Sequence, residues 1–487
     1  MRRFIWLAAI LFGTASVAAA AQEPQVTPVA VTETCAFSVR GTQIECGHLR
    51  TALDRTNPND TRTIELQYVR LKSRSRTPQP DPVVFLTGGP GSSSLYFLNV
   101  LSRSQILEHR DLIAIEQRGN GYSEPNLLCA LPEANDVDST RAAYRSCFEQ
   151  VTARGVPLHA YNLREAAHDL VDLRMALGVD QWTVFGTSYG SFWALQYLKL
   201  QPAGVRAVIL DSPYPPQADP RDSWVAHLNG LSSVFQACES DQQCASAYPR
   251  LRDRFIALVT QAIASEGGVA AGGQLIGLVN GINFETASVH LVPRLIDAYE
   301  RRDQRTVAAI LSLDPYGLPR GFDIERASST GLFLNTTCIE DVPFPGASNA
   351  RLALRESWPA NIVDAAKLTD NSSTDYCNGA WNVPAGDAGF NEPVQSNVPA
   401  LITVGALDPE TPPELGSVMG ATLPSSTLAI LPDSAHAAIS RPSACSTAII
   451  ARFLDDPTIK PDVSCLTRDR PDFNLPGERI RMIRIGR

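Results

Sequence analysis

The stretch WTVFGTSYG, from Trp182 to Gly190, decides the fold. Its first four residues are an apolar, β-prone run that reads as a strand buried on both faces. Gly186-Thr187-Ser188-Tyr189-Gly190 follows, the one GxSxG in the chain, and Gly190 to Leu200 then reads as a helix. A strand that turns at once into a helix puts the middle residue of the turn in a strained conformation, and small residues two places away let strand and helix approach. Similar short runs flank this unit on both sides. They are Pro82 to Leu86 (PVVFL), Leu112 to Ile115 (LIAI), Ala207 to Leu210 (AVIL), Ala400 to Val404 (ALITV) and Leu428 to Leu431 (LAIL). A helix fits between the second run and the WTVF strand. Asn162 and Glu165 are spaced as a capping box, Ala166, Leu170, Leu173 and Leu177 form an apolar stripe, and Gly178 is a stop. Strands alternating with helices predict a doubly wound, mostly parallel α/β sheet with right-handed crossovers.

Two stretches break the rhythm. From about residue 22 to Thr34 a Pro- and Thr-containing segment reads as an extended arm. From 215 to 398 amphipathic segments such as Leu251 to Ala264 and Val292 to Arg301 alternate with Gly- and Pro-rich loops, which predicts an inserted, largely helical cap. The expected organisation is a signal peptide over 1–21, a first core part over 22–214, the cap over 215–398 and a second core part over 399–487. Arg2 and Arg3, the apolar run Phe4 to Phe12 and the small residues Ala18 to Ala21 carry the leader reading. No later apolar stretch is long enough to cross a bilayer, so a stable membrane anchor is not expected. Ten cysteines fall into neighbouring couples and predict five local disulfides, in keeping with a secreted or periplasmic protein. Without a CxxC pair or a His beside Cys, no metal site is expected. Apolar residues make up 44% and charged residues 19%, the balance of a globular chain with a sizeable core. The net charge of −9 without a basic run excludes nucleic acid as a partner, because phosphates require clustered Lys and Arg.

A serine hydroxyl at the apex of such a turn is a nucleophile in waiting and needs a base. Of seven histidines, only His436 follows both the serine and a core-type strand, in Pro432-Asp433-Ser434-Ala435-His436. The orienting acid belongs at the end of the strand before it, where Asp408 stands in Gly405-Ala406-Leu407-Asp408-Pro409; Asp433 is the rival. The anionic tetrahedral intermediate requires two backbone N–H donors. One is expected from Tyr189, after the nucleophile. The other is expected from the Gly88-Gly89-Pro90-Gly91 loop, with Gly89 favoured and Pro90 excluded because it has no N–H. The order Ser188, Asp408, His436 on this sheet predicts an α/β-hydrolase fold.

Gly88-Gly89-Pro90-Gly91-Ser92, the turn Glu116-Gln117-Arg118-Gly119-Asn120-Gly121-Tyr122-Ser123 and the GTSYG elbow together resemble the proline iminopeptidase and tripeptidyl aminopeptidase group, in its exported, tripeptidyl-aminopeptidase-like branch. The group's GGPG loop usually follows His where this chain has Thr87, and its QRG turn usually starts with Asp where this chain has Glu116. The resemblance implies a cofactor-free exopeptidase acting on peptides with a free N-terminus. Such an enzyme must pair an acidic group with the substrate ammonium. Glu340 and Asp341, beside Cys338, are the candidates, with Glu239 and Asp241 behind them. The same triad serves a carboxylesterase or amidase equally well, and an inactive binding module on this scaffold is the remaining alternative. Substrate preference, residues released per cut and oligomeric state are not legible.

Overall fold

A computed structural model describes residues 26–134, 136–343, 351–369, 374–440 and 442–482. The expected leader lies outside the described residues. Ten strands form one sheet: β1 (Val29–Glu33), β2 (Ile44–Ala52), β3 (Thr63–Leu71), β4 (Val83–Leu86), β5 (Leu112–Ile115), β6 (Ser123–Glu124), β7 (Trp182–Thr187), β8 (Val205–Asp211), β9 (Ala400–Gly405) and β10 (Ser426–Leu431). Their order is β1-β2-β3-β5-β4-β7-β8-β9-β10, with β6 beside β3. From β5 to β10 every pairing is parallel, and each of the six apolar runs read from the sequence is one of these strands. β1, β2 and β3 pair antiparallel at one edge. The stretch expected as a free arm thus contributes β1. Antiparallel strands that face water on one side alternate polar and apolar residues, as IECGHLRTA does, and give no continuous apolar signal.

The helix Leu163–Ala176 begins as expected, with the Asn162 side chain accepting from Glu165 N at 3.0 Å. The reciprocal half of the capping box is not used. Glu165 turns instead to Arg55, at 2.8 Å, in a buried network where Arg118 of the QRG turn bonds Asp169 at 2.6 and 2.7 Å. Five disulfides join the neighbouring couples: Cys35–Cys46, Cys129–Cys147, Cys238–Cys244, Cys338–Cys377 and Cys445–Cys465. Among the described residues no helix is long and apolar enough to cross a membrane.

Between β8 and β9 the described chain is helical, but it divides between two cores. Helices Ser223–Ser240, Leu251–Ile263, Gly268–Phe284 and Ala360–Lys367 pack around Phe235, Phe255 and Trp358, whose rings lie 5.6 to 6.4 Å apart. Helix Thr330–Thr336 and the turn after it go elsewhere. Leu332, Leu334, Cys338, Trp381 and Phe390 are buried with the helices on the sheet. The amphipathic pattern marks a buried face without saying against what, so the sequence showed one insertion where packing makes two.

Candidate active site

The parallel register brings the ends of β4, β7, β8, β9 and β10 to one edge of the sheet. Leu86 pairs with Gly186, Thr187 with Asp211, Asp211 with Thr403, and Leu431 with Gly405. Open α/β sheets hold their ligands at this edge. Ser188 sits there between β7 and helix Tyr189–Leu200, with φ 57° and ψ −129°, a conformation that costs a non-glycine residue about 1–3 kcal/mol. Its N–H donates to Asp211 O at 2.9 Å. The flanking glycines are required by contact. A Cβ on Gly190 would lie 2.1 Å from Leu86 O, and one on Gly186 2.3 Å from Gly190 O. Ser212 and Ala437, at the neighbouring strand end and after the histidine, also have positive φ, 48° and 53°. Backbone strain of this kind clusters at functional sites.

His436 Nδ1 lies 3.0 and 3.1 Å from the two oxygens of Asp408. Asp408 is buried and also accepts from Glu410 N at 2.8 Å, Thr411 N at 2.9 Å and Thr411 Oγ1 at 2.9 Å. Burial opposes its charge, but His436 and these donors outweigh burial and hold its pKa below the ordinary value. The imidazole is shifted the other way. Burial works against its cation, yet the Asp408 charge and hydrogen bond raise its pKa. In the neutral ring, with Nδ1–H committed to the carboxylate, the lone pair is on Nε2. Asp433 makes no such contact with His436. It accepts from Ser434 Oγ at 3.2 Å.

The helical insertion supports the histidine. His436 N donates to Phe284 O at 3.0 Å, Thr286 Oγ1 donates to His436 O at 2.8 Å, and the Phe284 ring lies 4.5 Å from the imidazole. Sequence reading missed Phe284, Thr286, Thr411 and Asp211. None belongs to a motif, and only Asp211, ending a core strand, carried a positional signal. Asp211 is buried beside His436 and pushed up to about 7 by burial, with Thr403 Oγ1 donating to it at 2.7 Å.

Ser188 opens onto two cavities. The larger, about 460 Å³, has Ser188, His436, Gly88 and Gly89 in its wall, with Tyr96, Phe97 and Phe284 among its aromatic residues. Ser188 Oγ makes no hydrogen bond to the imidazole among the described residues, a looseness common in ligand-free serine sites. The smaller cavity, about 290 Å³, is walled by Ser188, Tyr189, Gly89, Asp341, Asp219 and Asp222, among others. Gly88 presses on Ser188 so closely that a Cβ there would lie 2.6 Å from Ser188 Cβ. The oxyanion candidates Gly89 and Tyr189 therefore flank the serine from opposite elements.

The two acidic candidates part company. Glu340 is fully buried, accepts from Leu163 N at 2.5 Å and Tyr189 OH at 2.7 Å, and is pushed up to about 8 by burial. Both oxygens are engaged and no surface is left for a substrate, so the amine-binding expectation for Glu340 is corrected. Asp341 lines the smaller cavity, is 6% exposed, and has no hydrogen-bond or ion-pair partner among the described residues. Burial alone raises its pKa to about 7. Asp241 instead caps the helix Gln242–Ala247, accepting from Cys244 N at 2.7 Å. No group of His, Cys, Asp and Glu among the described residues is arranged to hold a metal ion.

With this geometry, a family model described as alpha/beta hydrolase fold matches residues 81–258, the part that carries the glycine loop and the elbow. The chain has the α/β-hydrolase fold. A second model, described as TAP-like protein, matches residues 363–465, the part that carries Asp408 and His436. The similarity to tripeptidyl-aminopeptidase-like hydrolases is carried by relatives as well. Tripeptidyl aminopeptidase of Streptomyces coelicolor is 28% identical over 199 residues, 36% of each chain. Serine protease Hip1 of Mycobacterium tuberculosis is 29% identical over 215 residues, 40% of this chain and 41% of that protein. The matched stretches thus span about two fifths or less of these relatives' length. Carboxylesterase B of M. tuberculosis is 22% identical over 408 residues, 77% of each chain.

Proposed function

We propose that this protein is a secreted serine exopeptidase that releases residues from the free N-terminus of peptides. The observation that carries the reading is Asp341. It is a buried carboxylate, without a partner among the described residues, in the wall of a cavity that also contains the strained Ser188. An N-terminal ammonium is the cation that such a group accepts, and it is absent from internal peptide segments. Five disulfides support an oxidising compartment.

In the first half-reaction Ser188 Oγ attacks the carbonyl carbon, and His436 Nε2 takes the hydroxyl proton. Asp408 holds the ring and stabilises the imidazolium without taking a proton itself. The carbonyl oxygen, now anionic, accepts from the Gly89 and Tyr189 N–H groups. As the tetrahedral intermediate collapses, the C–N bond breaks and His436 gives its proton to the departing amine. Water then adds to the ester with His436 again as base, and Ser188 leaves with the proton.

A second reading is favoured by the relative matched over most of the chain, a carboxylesterase. The triad proposed here would serve ester substrates as well. The test compares chromogenic peptides with a free and an acetylated N-terminus, beside a simple acyl ester. Cleavage confined to the free-amine peptides supports the exopeptidase. Ester turnover without peptide cleavage replaces it with the esterase. Ser188→Ala should fold normally and lose about 10⁴-fold or more in turnover on every substrate. Retained activity would remove Ser188 from the mechanism.

A further inference from the structure

The two cavities that meet at Ser188 differ in chemistry. The smaller holds Asp341, Asp219 and Asp222. The larger is built from Tyr96, Phe97, Val100, Ile106, Phe284 and Tyr316 around the serine and the histidine. Its carboxylates are engaged within the protein: Glu285 accepts from Tyr316 OH, Asp211 from Thr403 Oγ1, and Glu410 lies at hydrogen-bond distance, 3.3 Å, from His227 Nε2. Apart from Arg103, the space left for a ligand is therefore mainly aromatic and aliphatic.

The position of His436 sets the direction in which a substrate lies. A general acid must come within hydrogen-bond reach of the atom it protonates. The departing nitrogen must then lie on the imidazole side of Ser188. His436 is in the wall of the larger cavity and not of the smaller. Tyr189, whose N–H faces the carbonyl oxygen of the acyl group, is in the wall of the smaller and not of the larger.

We propose that the larger cavity is the departing-side pocket and selects a bulky apolar or aromatic side chain on the residue just after the cut, while the smaller chamber holds the amino-terminal part. This deepens the exopeptidase reading and rests on it for the peptide substrate, but the pocket assignment concerns the leaving group alone. Burying a Phe or Leu side chain there favours cleavage over glycine by about 10- to 100-fold in kcat/KM.

The experiment uses the full protein and free-amine peptides identical up to the cut, with Phe, Leu, Gly or Asp after it. Phe and Leu should exceed Gly by the stated factor, with Asp below Gly. Val100→Phe, which fills the larger cavity, should bring the Phe:Gly ratio close to one. Leu352→Trp, in the smaller chamber, should alter the choice of residue before the cut and leave that ratio standing. Wild-type indifference to the departing residue overturns the proposal, as does a Val100→Phe variant that changes only the choice before the cut. Val100→Ala provides the converse check if the larger side chain prevents folding, by moving the optimum towards Trp. Failure to cleave any free-amine peptide defeats the exopeptidase reading by itself. The pocket is then read with benzyl and methyl esters of one acid: a benzyl preference erased by Val100→Phe supports it, and equal rates overturn it.

Discussion

Asp341→Asn keeps the shape of the side chain and removes its charge, so it isolates the role given to that carboxylate. In the free protein Asp341 shares its charge with no cation among the described residues and is 6% exposed. A substrate ammonium entering the chamber meets an anion that has already lost its water. A pair of unit charges about 4 Å apart is worth about 4 kcal/mol at an effective dielectric constant of 20. Removing one member of a desolvated pair typically costs about 2–5 kcal/mol. The Asn variant should lose about 30- to 4000-fold in kcat/KM on a free-amine peptide, at about 1.4 kcal/mol for each factor of ten. The acetylated peptide or the simple ester brings no ammonium and should change by less than about threefold, since no charge pair is lost. The dependence on pH gives a second readout. Burial raises the carboxyl to about 7, and protonation abolishes the charge that attracts the ammonium. In the wild type the advantage of free-amine over acetylated substrate should fall as pH drops below about 7, offset downwards as bound ammonium stabilises the anion. In Asp341→Asn that slope should vanish. The assay is steady-state kinetics on the matched pair across pH. Equal loss on both substrates would reduce Asp341 to a structural residue. An undiminished preference for the free amine would move the ammonium to another carboxylate of the smaller cavity, with Glu410 next in line.

Three further outcomes follow from the geometry. Asp408→Asn should lower kcat by about 10⁴-fold and shift the acidic limb of the pH–rate profile to lower pH, because the carboxylate is what holds the His436 pKa up; an unmoved limb would separate the two residues. Gly190→Ala places a Cβ 2.1 Å from Leu86 O and 2.7 Å from Thr87 O, both backbone atoms that cannot step aside cheaply. Overpacking of that kind costs about 1–3 kcal/mol, so a thermal melt should fall by several degrees and kcat/KM should drop with it as the Gly88–Gly89 loop is displaced. Glu340→Gln should lower the melting temperature and reduce turnover of free-amine and acetylated substrates alike, because Glu340 supports Leu163 N and Tyr189 OH rather than a ligand; a selective loss on free amines would restore it to the amine site.

Legibility from sequence followed the physics of each element. Strands buried on both faces, such as VVFL and LIAI, are apolar throughout and can be read directly. VAVTE and IECGHLRTA belong to the antiparallel end of the sheet, and their polar faces hid them. The elbow and its partners were legible because local sterics dictate small residues at fixed spacing. Asp408 was separable from Asp433 by its place at a strand end, and it lies 3.0 and 3.1 Å from His436 Nδ1. Glu340 and Asp341 show where such reading stops. They are adjacent in sequence, acidic and buried, and only the path of the turn Thr337–Asp341 sends one under the elbow and the other into the chamber. Thr286 was beyond reach for a related reason. It meets His436 across 150 positions of chain, and no spacing rule spans that distance.

The grip of the Phe284–Thr286 turn on His436 bears on how this scaffold can be recombined. A module that only covers a site can be exchanged as a cassette between hydrolases to transplant specificity. Here the insertion also fixes the backbone of His436, the proposed general base, through its N and O. Grafting a foreign cap at the ends of β8 and β9 would leave the base without its scaffolding, and the chimaera would lose its chemistry together with its old selectivity. A workable exchange must keep this turn with the host, trading only the segments that surround the smaller chamber.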